Sequence, residues 1–321
     1  MSTRERDMDR KNQTSATEFI LLGISDRPEL QTPLFVLFLV MYILTVTGNI
    51  LTVVAIQSDA HLVQTPMYFF LSCLSLVDVC FTSIIIPTML LSLLSGHGRG
   101  GTISYAGCLS QMYFFLALGN TDSYLLAAMA IDRYVAICNP LHYTTVMSQR
   151  LCLILLAVSC SISHLHSILQ TTLTSFLIFC ASNTIPHFFC DIQPLLKLSC
   201  SDTSTQELLG MTETLAVIMT PFMCIVVSYA RILVTVLRMP SAKGKRKAFS
   251  TCGSHLTVVT LFYGSITWVY FRPLSSYTAV KDRVAAVMYT VITPLLNPFI
   301  YSLRNKDMQN ALKKVVGRKV N

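Results

Sequence analysis

Leu34 to Ile56 is a run of 23 residues without one charged side chain. A helix rises 1.5 Å per residue, so about 20 residues cross the hydrocarbon core of a bilayer. In lipid every backbone polar group must be satisfied internally, and a continuous run of this length does that as a helix. Six further apolar runs follow, at Met67–Leu91, Cys108–Ile131, Leu151–Thr172, Leu209–Leu233, Ala248–Phe271 and Val284–Tyr301. The fourth is the most polar, rich in Ser and Thr and holding His164 and His166. The seventh is interrupted by Pro294 and Pro298, which spanning helices tolerate when neighbours satisfy the freed carbonyls. Charged residues make up 12% of the chain, against about 25% in soluble domains, and that excludes an ordinary soluble enzyme. The expected fold is an all-α membrane protein, a seven-transmembrane helix bundle with a short amphipathic eighth helix. Its parts are an extracellular N-terminus (1–33), the bundle (34–301) and a cytoplasmic amphipathic helix and tail (302–321).

Seven spans place the termini on opposite sides, and Lys and Arg select which is which. Met1 to Arg10 is hydrophilic and has no apolar core, so no cleavable leader is expected. With the N-terminus outside, 14 of the 24 Lys and Arg and three acids lie on the inner side; ten of each lie outside. The cluster Lys243, Lys245, Arg246, Lys247 beside the sixth span is the strongest part of this signal. Asn12-Gln13-Thr14 is a glycosylation sequon in the outer segment. Of 11 cysteines, Cys108, Cys180, Cys190 and Cys200 fall outside, where two disulfides with three connectivities are open to them. The plasma membrane is the expected location.

Three features point to a switch rather than a catalyst. Asp78 sits mid-span, and ionisable groups there are costly and usually functional. Asn49 and Asn297 are its natural partners, in a hydrated polar knot or a sodium-type site. "NPFIY", Asn297 to Tyr301, kinks at Pro298 because proline cannot donate to the helix ladder. Asn297 is expected to bond the released backbone and Tyr301 to swing between partners, as a bistable element requires. "MAIDRYVAIC", Met129 to Cys138, sets Asp132 beside Arg133 at the inner boundary. After the seventh span, Met308, Leu312, Val315 and Val316 recur at helical spacing among Lys306, Lys313, Lys314 and Lys319, giving a basic helix for the anionic inner leaflet.

The long motifs together are more specific than any one of them. "GN" at Gly48–Asn49, "TPMYFFLS" at Thr65–Ser72, "MAIDRYVAIC", "SY" at Ser228–Tyr229, "KAFSTCGSHL" at Lys247–Leu256 and "PLLNPFIYSLRN" at Pro294–Asn305 run almost the length of the chain. It resembles a rhodopsin-like G-protein-coupled receptor, and within that class a mammalian-type (class II) odorant receptor. The resemblance implies disulfides Cys108–Cys190 and Cys180–Cys200. It implies that Asp132 holds Arg133, that Arg133 and Tyr134 meet a heterotrimeric G protein, and that Tyr229, Asn297, Pro298 and Tyr301 take part in activation. The G protein implied is the stimulatory olfactory type, which raises cyclic AMP. Two positions depart from the family pattern: Gln64 replaces a histidine, and Cys160 replaces a tryptophan.

In such a bundle the outer halves of spans three, five, six and seven converge on a ligand. Helical spacing groups Met112, Phe115, Leu116, Gly119 and Asn120 on the third span. Glu213 and Val217 come from the fifth, Tyr263, Ile266, Thr267 and Tyr270 from the sixth, and Val287 and Thr290 from the seventh. No amine anchor lies on the third-span stripe, so the expected ligand is a small, mostly apolar volatile. Other than lipids, the ligand and the G protein no partner is implied, and nucleic acid is not one. No metal or cofactor is expected beyond a sodium ion near Asp78; His187 and Cys190 have metal-ligand spacing, but the implied disulfide claims Cys190. A receptor for a non-odorant small metabolite is the nearest alternative. A transporter is a more distant one, since no internal repeat is visible and an odd number of spans fits it poorly.

Overall fold

The computed structural model describes residues 17–25, 27–95, 101–179, 183–270, 279–303 and 305–317. Asn12, Cys180, Phe271 and Lys319 lie outside them, as does the side chain of Tyr270. The helices are α1 (Pro28–Gln57), α2 (Pro66–Leu94), α3 (Tyr105–Cys138), α4 (Gln149–Ser175), α5 (Ser204–Arg238) and α6 (Ala242–Tyr270), followed by α7 and α8. α7 is assembled from a helix Ala279–Val287, a π-helical turn Met288–Ile292 and a helix Thr293–Leu303; α8 is Lys306–Gly317. α1 to α5 and the segment Lys281–Tyr301 of α7 are long and apolar enough to cross a membrane. α6, 29 residues long, is the remaining bundle helix, with Lys243, Lys245 and Arg246 in its first turns.

The helices outrun the apolar runs because their ends are polar and capped. Pro28 and Pro66 open α1 and α2, where the missing N–H would have had no partner anyway. Ser104 Oγ accepts from Gly107 N at 3.1 Å and Ser148 Oγ from Leu151 N at 3.3 Å, capping α3 and α4. α1 turns Val36, Leu37, Val40, Ile43 and Leu44 outward, and α4 exposes Leu153, Ile154 and Val158. In water such faces would be an aggregation liability; against lipid they are solvated. α3 is the central helix, packed on α2, α4 and α5, and contributes Leu125 to Ala130 to the main core.

One end of the bundle carries a small sheet that the all-helical expectation lacked. β1 (Glu18–Leu21) pairs antiparallel with β2 (Gly101–Ser104) and parallel with β3 (Thr184–Ile185). Phe19 and Leu21 point into a separate core with Cys108, Met112, Phe179 and Cys190. The disulfide Cys108–Cys190 ties α3 to this layer. Cys200 is also disulfide-bonded, while seven other cysteines are free thiols, the same seven that the sequence assigns to spans and the inner face. The strap continues to Gly23, whose φ is 77°, in the left-handed region that favours glycine. A Cβ there would stand 2.7 Å from Ser92 Oγ. Gly23 N donates to the His187 carbonyl at 3.2 Å, and the Gly23 carbonyl accepts from Arg283 Nη1 at 3.0 Å. The strap therefore joins α2, α7 and the segment after β3.

At the opposite end, the Arg133 end, Asn305 Nδ2 donates to Tyr68 Oη at 2.6 Å and anchors the start of α8 on α2. Met308 is fully buried, with Leu312 and Val315 packed on the main core. Val316, read as part of the same apolar face, is 55% exposed. Lys314 Nζ lies 3.2 Å from Asp59 and holds that exposed carboxyl below its usual range.

Candidate functional site

A cavity of about 450 Å³ lies between α3, α4, α5, α6 and α7, beneath the sheet end. Phe115, Leu116, Gly119 and Asn120 line it from α3, one helical stripe as their spacing predicts. Ile266 joins them from α6. Phe81, Ile218, Phe262 and Leu196 complete an apolar wall. Phe115 stacks on Phe81 at 5.5 Å between ring centroids and tilts against Phe189 at 4.7 Å, so its ring is held from two sides.

Several predicted lining residues stand elsewhere. Met112, one turn nearer the disulfide, is buried in the core beneath the sheet. Glu213 and Val217 do not line the cavity; α5 presents Gln206, Glu207, Gly210, Met211, Leu215 and Ile218 instead. At 100° per residue Glu213 falls within about 20° of Gln206, on the α4 side of that stripe, where Gly210 meets Gln170. Thr267 is exposed on the outer face of α6. Val287 and Thr290 flank Tyr289, which faces the cavity in their place. The π-helical turn holds five residues where a straight helix would repeat, and this rotates α7 by one position. Thr290 is left buried, its hydroxyl donating to the Ala286 carbonyl at 2.7 Å. Tyr263 lies just behind the wall: its hydroxyl is 2.5 Å from Ser123 Oγ, and Ser123 lines the cavity. Phe222 packs on the Tyr263 ring at 4.9 Å.

A short helix covers the cavity, an element that the apolar runs of the sequence do not mark. Asp191 accepts from Ile192 N at 2.8 Å and starts a helix, Ile192–Leu198, that lays Ile192, Gln193 and Leu196 over the cavity. Its signal was present: an N-cap aspartate before apolar residues at helical spacing. His187, in the same segment, stacks on Phe188 at 4.7 Å. Burial, and secondly the charge of Arg283, lowers its imidazole to about 3.

Midway down the bundle the two asparagines divide the expected roles, Asn297 meeting Asp78 and Asn49 the released backbone. Pro298 has no N–H, so the Pro294 carbonyl lacks its helical donor. Asn49 Nδ2, from α1, supplies it at 3.1 Å and also bonds Thr45 O at 3.0 Å. Asn297 donates to Asp78 Oδ2 at 2.8 Å, as one of the two partners expected of that acid, and leaves the released backbone to Asn49. Gly48 permits this approach, since a Cβ there would lie 3.1 Å from Pro298 Cγ. Asp122, assigned no role from sequence, is buried within electrostatic reach of Asp78. Among the described residues, no donor reaches the buried Oδ1 atoms of Asn49, Asn297 and Asp122.

At the Arg133 end, Asp132 accepts from Tyr143 Oη at 2.7 Å, and among the described residues no ion pair joins it to Arg133. The expected lock on Arg133 is thus a lock on the loop holding Tyr143. Arg133 lies within electrostatic reach of Tyr229, Tyr301 and His255. His255 Nε2 sits 3.0 Å from the Leu126 carbonyl, which can only accept, so this nitrogen carries the proton. Nδ1 then accepts from Tyr229 Oη at 2.9 Å, linking α3, α5 and α6. His255 lies in "GSHL", within the Lys247–Leu256 motif, and this link gives that motif a structural role. Tyr301 is buried, with no hydrogen-bond partner for its hydroxyl among the described residues, and Tyr134 packs at the edge of the same cluster. No group of three or more metal-ligating side chains occurs among the described residues.

A family model described as "Olfactory receptor" matches residues 38–319. Olfactory receptor 1L6 of Homo sapiens is 66% identical over 319 residues, covering 99% of this chain and 91% of the relative. Olfactory receptor 1L4 of Homo sapiens is 65% identical over 309 residues (96% and 98%), and olfactory receptor 1f45 of Rattus norvegicus is 55% identical over 309 residues (96% and 97%). With seven bundle helices and matches of this extent, the chain belongs to the olfactory receptor family, multi-pass membrane receptors for odorants that act through G proteins and are not enzymes.

Proposed function

We propose that the cavity beneath the sheet end is where a small, mostly apolar volatile binds. Occupation would then act through the Arg133 end on a stimulatory olfactory-type G protein and raise cyclic AMP. The observation that carries the reading is the cavity itself: about 450 Å³, its wall mainly apolar, with Asn120, Ser123, His166, Gln193, Gln206 and Glu207 among the lining residues. That is the size and character of a small-ligand site. Phe115, Leu116, Gly119, Asn120 and Ile266 make direct contact in this proposal, and Tyr263 responds through Ser123. Movement at Tyr263 changes how α6 packs on α3 and α5, and the Tyr229–His255–Leu126 link conveys that change to Arg133.

The orientation is part of the proposal. Arg133, Arg150, Arg231, Arg238, Lys243, Lys245 and Arg246 gather at one end, which suits the cytosolic face. The disulfides lie at the other, which suits an oxidising exterior and the plasma membrane. A sodium ion fits the polar core, because Asp78, Asp122 and the unsatisfied carbonyl oxygens of Asn49 and Asn297 are the hard oxygen donors such a cation takes. Bound there, it would neutralise the paired acids and restrain α2, α3 and α7.

The test is a cyclic AMP reporter in cells exposed to an odorant panel, comparing the chain with Arg133→Ala at equal surface delivery. The proposal expects an odorant-dependent rise that Arg133→Ala abolishes. A full response from that variant contradicts the role given to Arg133.

A further inference from the structure

The cavity carries an acid at one end and an apolar wall at the other. Glu207 stands in the first turn of α5 and lines the cavity. Its Oε1 accepts from the Thr203 hydroxyl at 2.7 Å, and among the described residues no donor is bonded to Oε2. Ile218 also lines the cavity from α5. At 1.5 Å per residue it lies about 16 Å deeper along that helix. Phe262 and Ile266 face the same space from α6.

No cation on the wall offsets this acid. Neither Lys nor Arg is among the lining residues. His166 lines the cavity, but Asn120 Nδ2 lies 2.9 Å from its Nδ1. An amide nitrogen only donates, so Nδ1 accepts and the ring is neutral. A carboxylate ligand would therefore meet a like charge, and a mainly apolar wall screens that repulsion less than water does. A hydroxyl can donate to Glu207. An ammonium donates and adds the opposite charge, which makes the stronger bond.

From this arrangement we infer that the receptor recognises small aliphatic amines, the ammonium pairing with Glu207 and the alkyl chain lying along Ile218, Phe262 and Ile266. The anchor comes from α5, whereas the α3 stripe from Met112 to Asn120 carries no acid. An amine of this kind is still a small, mostly apolar volatile. The inference rests on the cavity being the odorant site and specifies the charge that site selects.

The experiment uses full-length receptor in cyclic AMP reporter cells and three compounds of one chain length: hexylamine, 1-hexanol and hexanoic acid, with cells lacking the receptor as the blank. The added charge should make the amine about tenfold more potent than the alcohol, with the acid weakest. Glu207→Gln keeps the shape and the acceptor for Thr203 but removes the charge, and should bring the amine-to-alcohol ratio below about threefold. Glu207→Asp keeps the charge and should retain the amine preference. An acid in the first turn also stabilises a helix, but losing that role alone would weaken all three compounds alike and leave the ratio unchanged. Equal potency of amine and alcohol in the unaltered receptor, an amine preference that survives Glu207→Gln, or the acid as the best agonist each overturns the inference while leaving the odorant cavity standing. Silence toward all three, with responses to other odorants of the panel, does the same. Silence toward the whole panel, with receptor at the surface, overturns the cavity reading as well.

Discussion

Replacing Asn49 with alanine tests how α7 keeps its proline. The Asn49 amide stands in for the N–H that Pro298 lacks, and the Pro294 carbonyl it serves is buried. Removing a donor from a buried acceptor costs about 1–3 kcal/mol. Polar contacts between membrane helices average nearer 0.6 kcal/mol, so about 1–2 kcal/mol is expected here. Each kcal/mol moves Tm by about 2–4 °C in domains somewhat smaller than this one, so a fall of roughly 2–6 °C follows. Pro298→Ala returns an N–H to the helix, aimed at the same carbonyl. In that background Asn49→Ala should cost less than half as much, because the acceptor no longer depends on α1. The assay is thermal unfolding of purified receptor in detergent for the four members of the cycle. Equal losses in both backgrounds would refute the substitution of side-chain for backbone donor.

Three further outcomes follow from single contacts. His187 is held neutral, with its imidazole lowered to about 3 by burial and the Arg283 charge, whereas the unfolded chain binds its proton near 6.5. Its contribution is therefore intact above pH 6.5 and is lost as pH falls toward 3; at pH 5 the loss is about 2 kcal/mol, and His187→Phe should flatten stability measured between pH 7.5 and 5. An unchanged slope would contradict this. Gly23→Val forces a β-branched residue into φ 77° beside Ser92 and should lower Tm by several degrees, about 2 kcal/mol or more, with Tm unchanged as the refuting result. Tyr143→Phe removes the donor to Asp132 and should cost about 1.5–3 kcal/mol, as bonds to charged groups do. No loss of Tm would mean that Asp132 takes another partner at once.

Much of the bundle is legible because its information is local. A spanning run needs only length and apolarity, and Leu34–Ile56 lies inside α1 just as Leu209–Leu233 lies inside α5. The α3 stripe is legible for the same reason, since Phe115 to Asn120 keep helical spacing within one element. What the sequence hides is long-range or a matter of register. β1 is four residues whose partners lie 80 or more positions away, so no periodicity marks it. The π-helical turn at Met288–Ile292 puts Tyr289 in the place expected of Val287 and Thr290, and no residue pattern announces it. Asn49 and Asn297 were both legible as polar-core residues; which of them meets Asp78 depends on the rotation of α1 against α7. The adjacency of Asp132 and Arg133 suggested a pair, yet neighbours in a helix point about 100° apart, and the partner of Asp132 is Tyr143. Cys160 is a half-buried free thiol and Gln64 an exposed residue between α1 and α2; nothing in the structure explains either departure.

The claim that an odorant acts from inside this cavity is tested most directly by filling it. A Cβ on Gly119 would meet the Phe81 ring at 3.5 Å, an ordinary contact, so Gly119→Leu adds a side chain to the cavity without forcing the backbone. Gly264→Leu, at an exposed position with nothing within 4 Å of its Cβ, is the matched control on α6. Cyclic AMP dose–response curves are recorded for both variants at equal surface delivery, with the best agonist of the unaltered receptor. Loss of response by at least about 30-fold in Gly119→Leu, with basal signal and Gly264→Leu unchanged, is the predicted result. A full response from Gly119→Leu would contradict binding in the cavity.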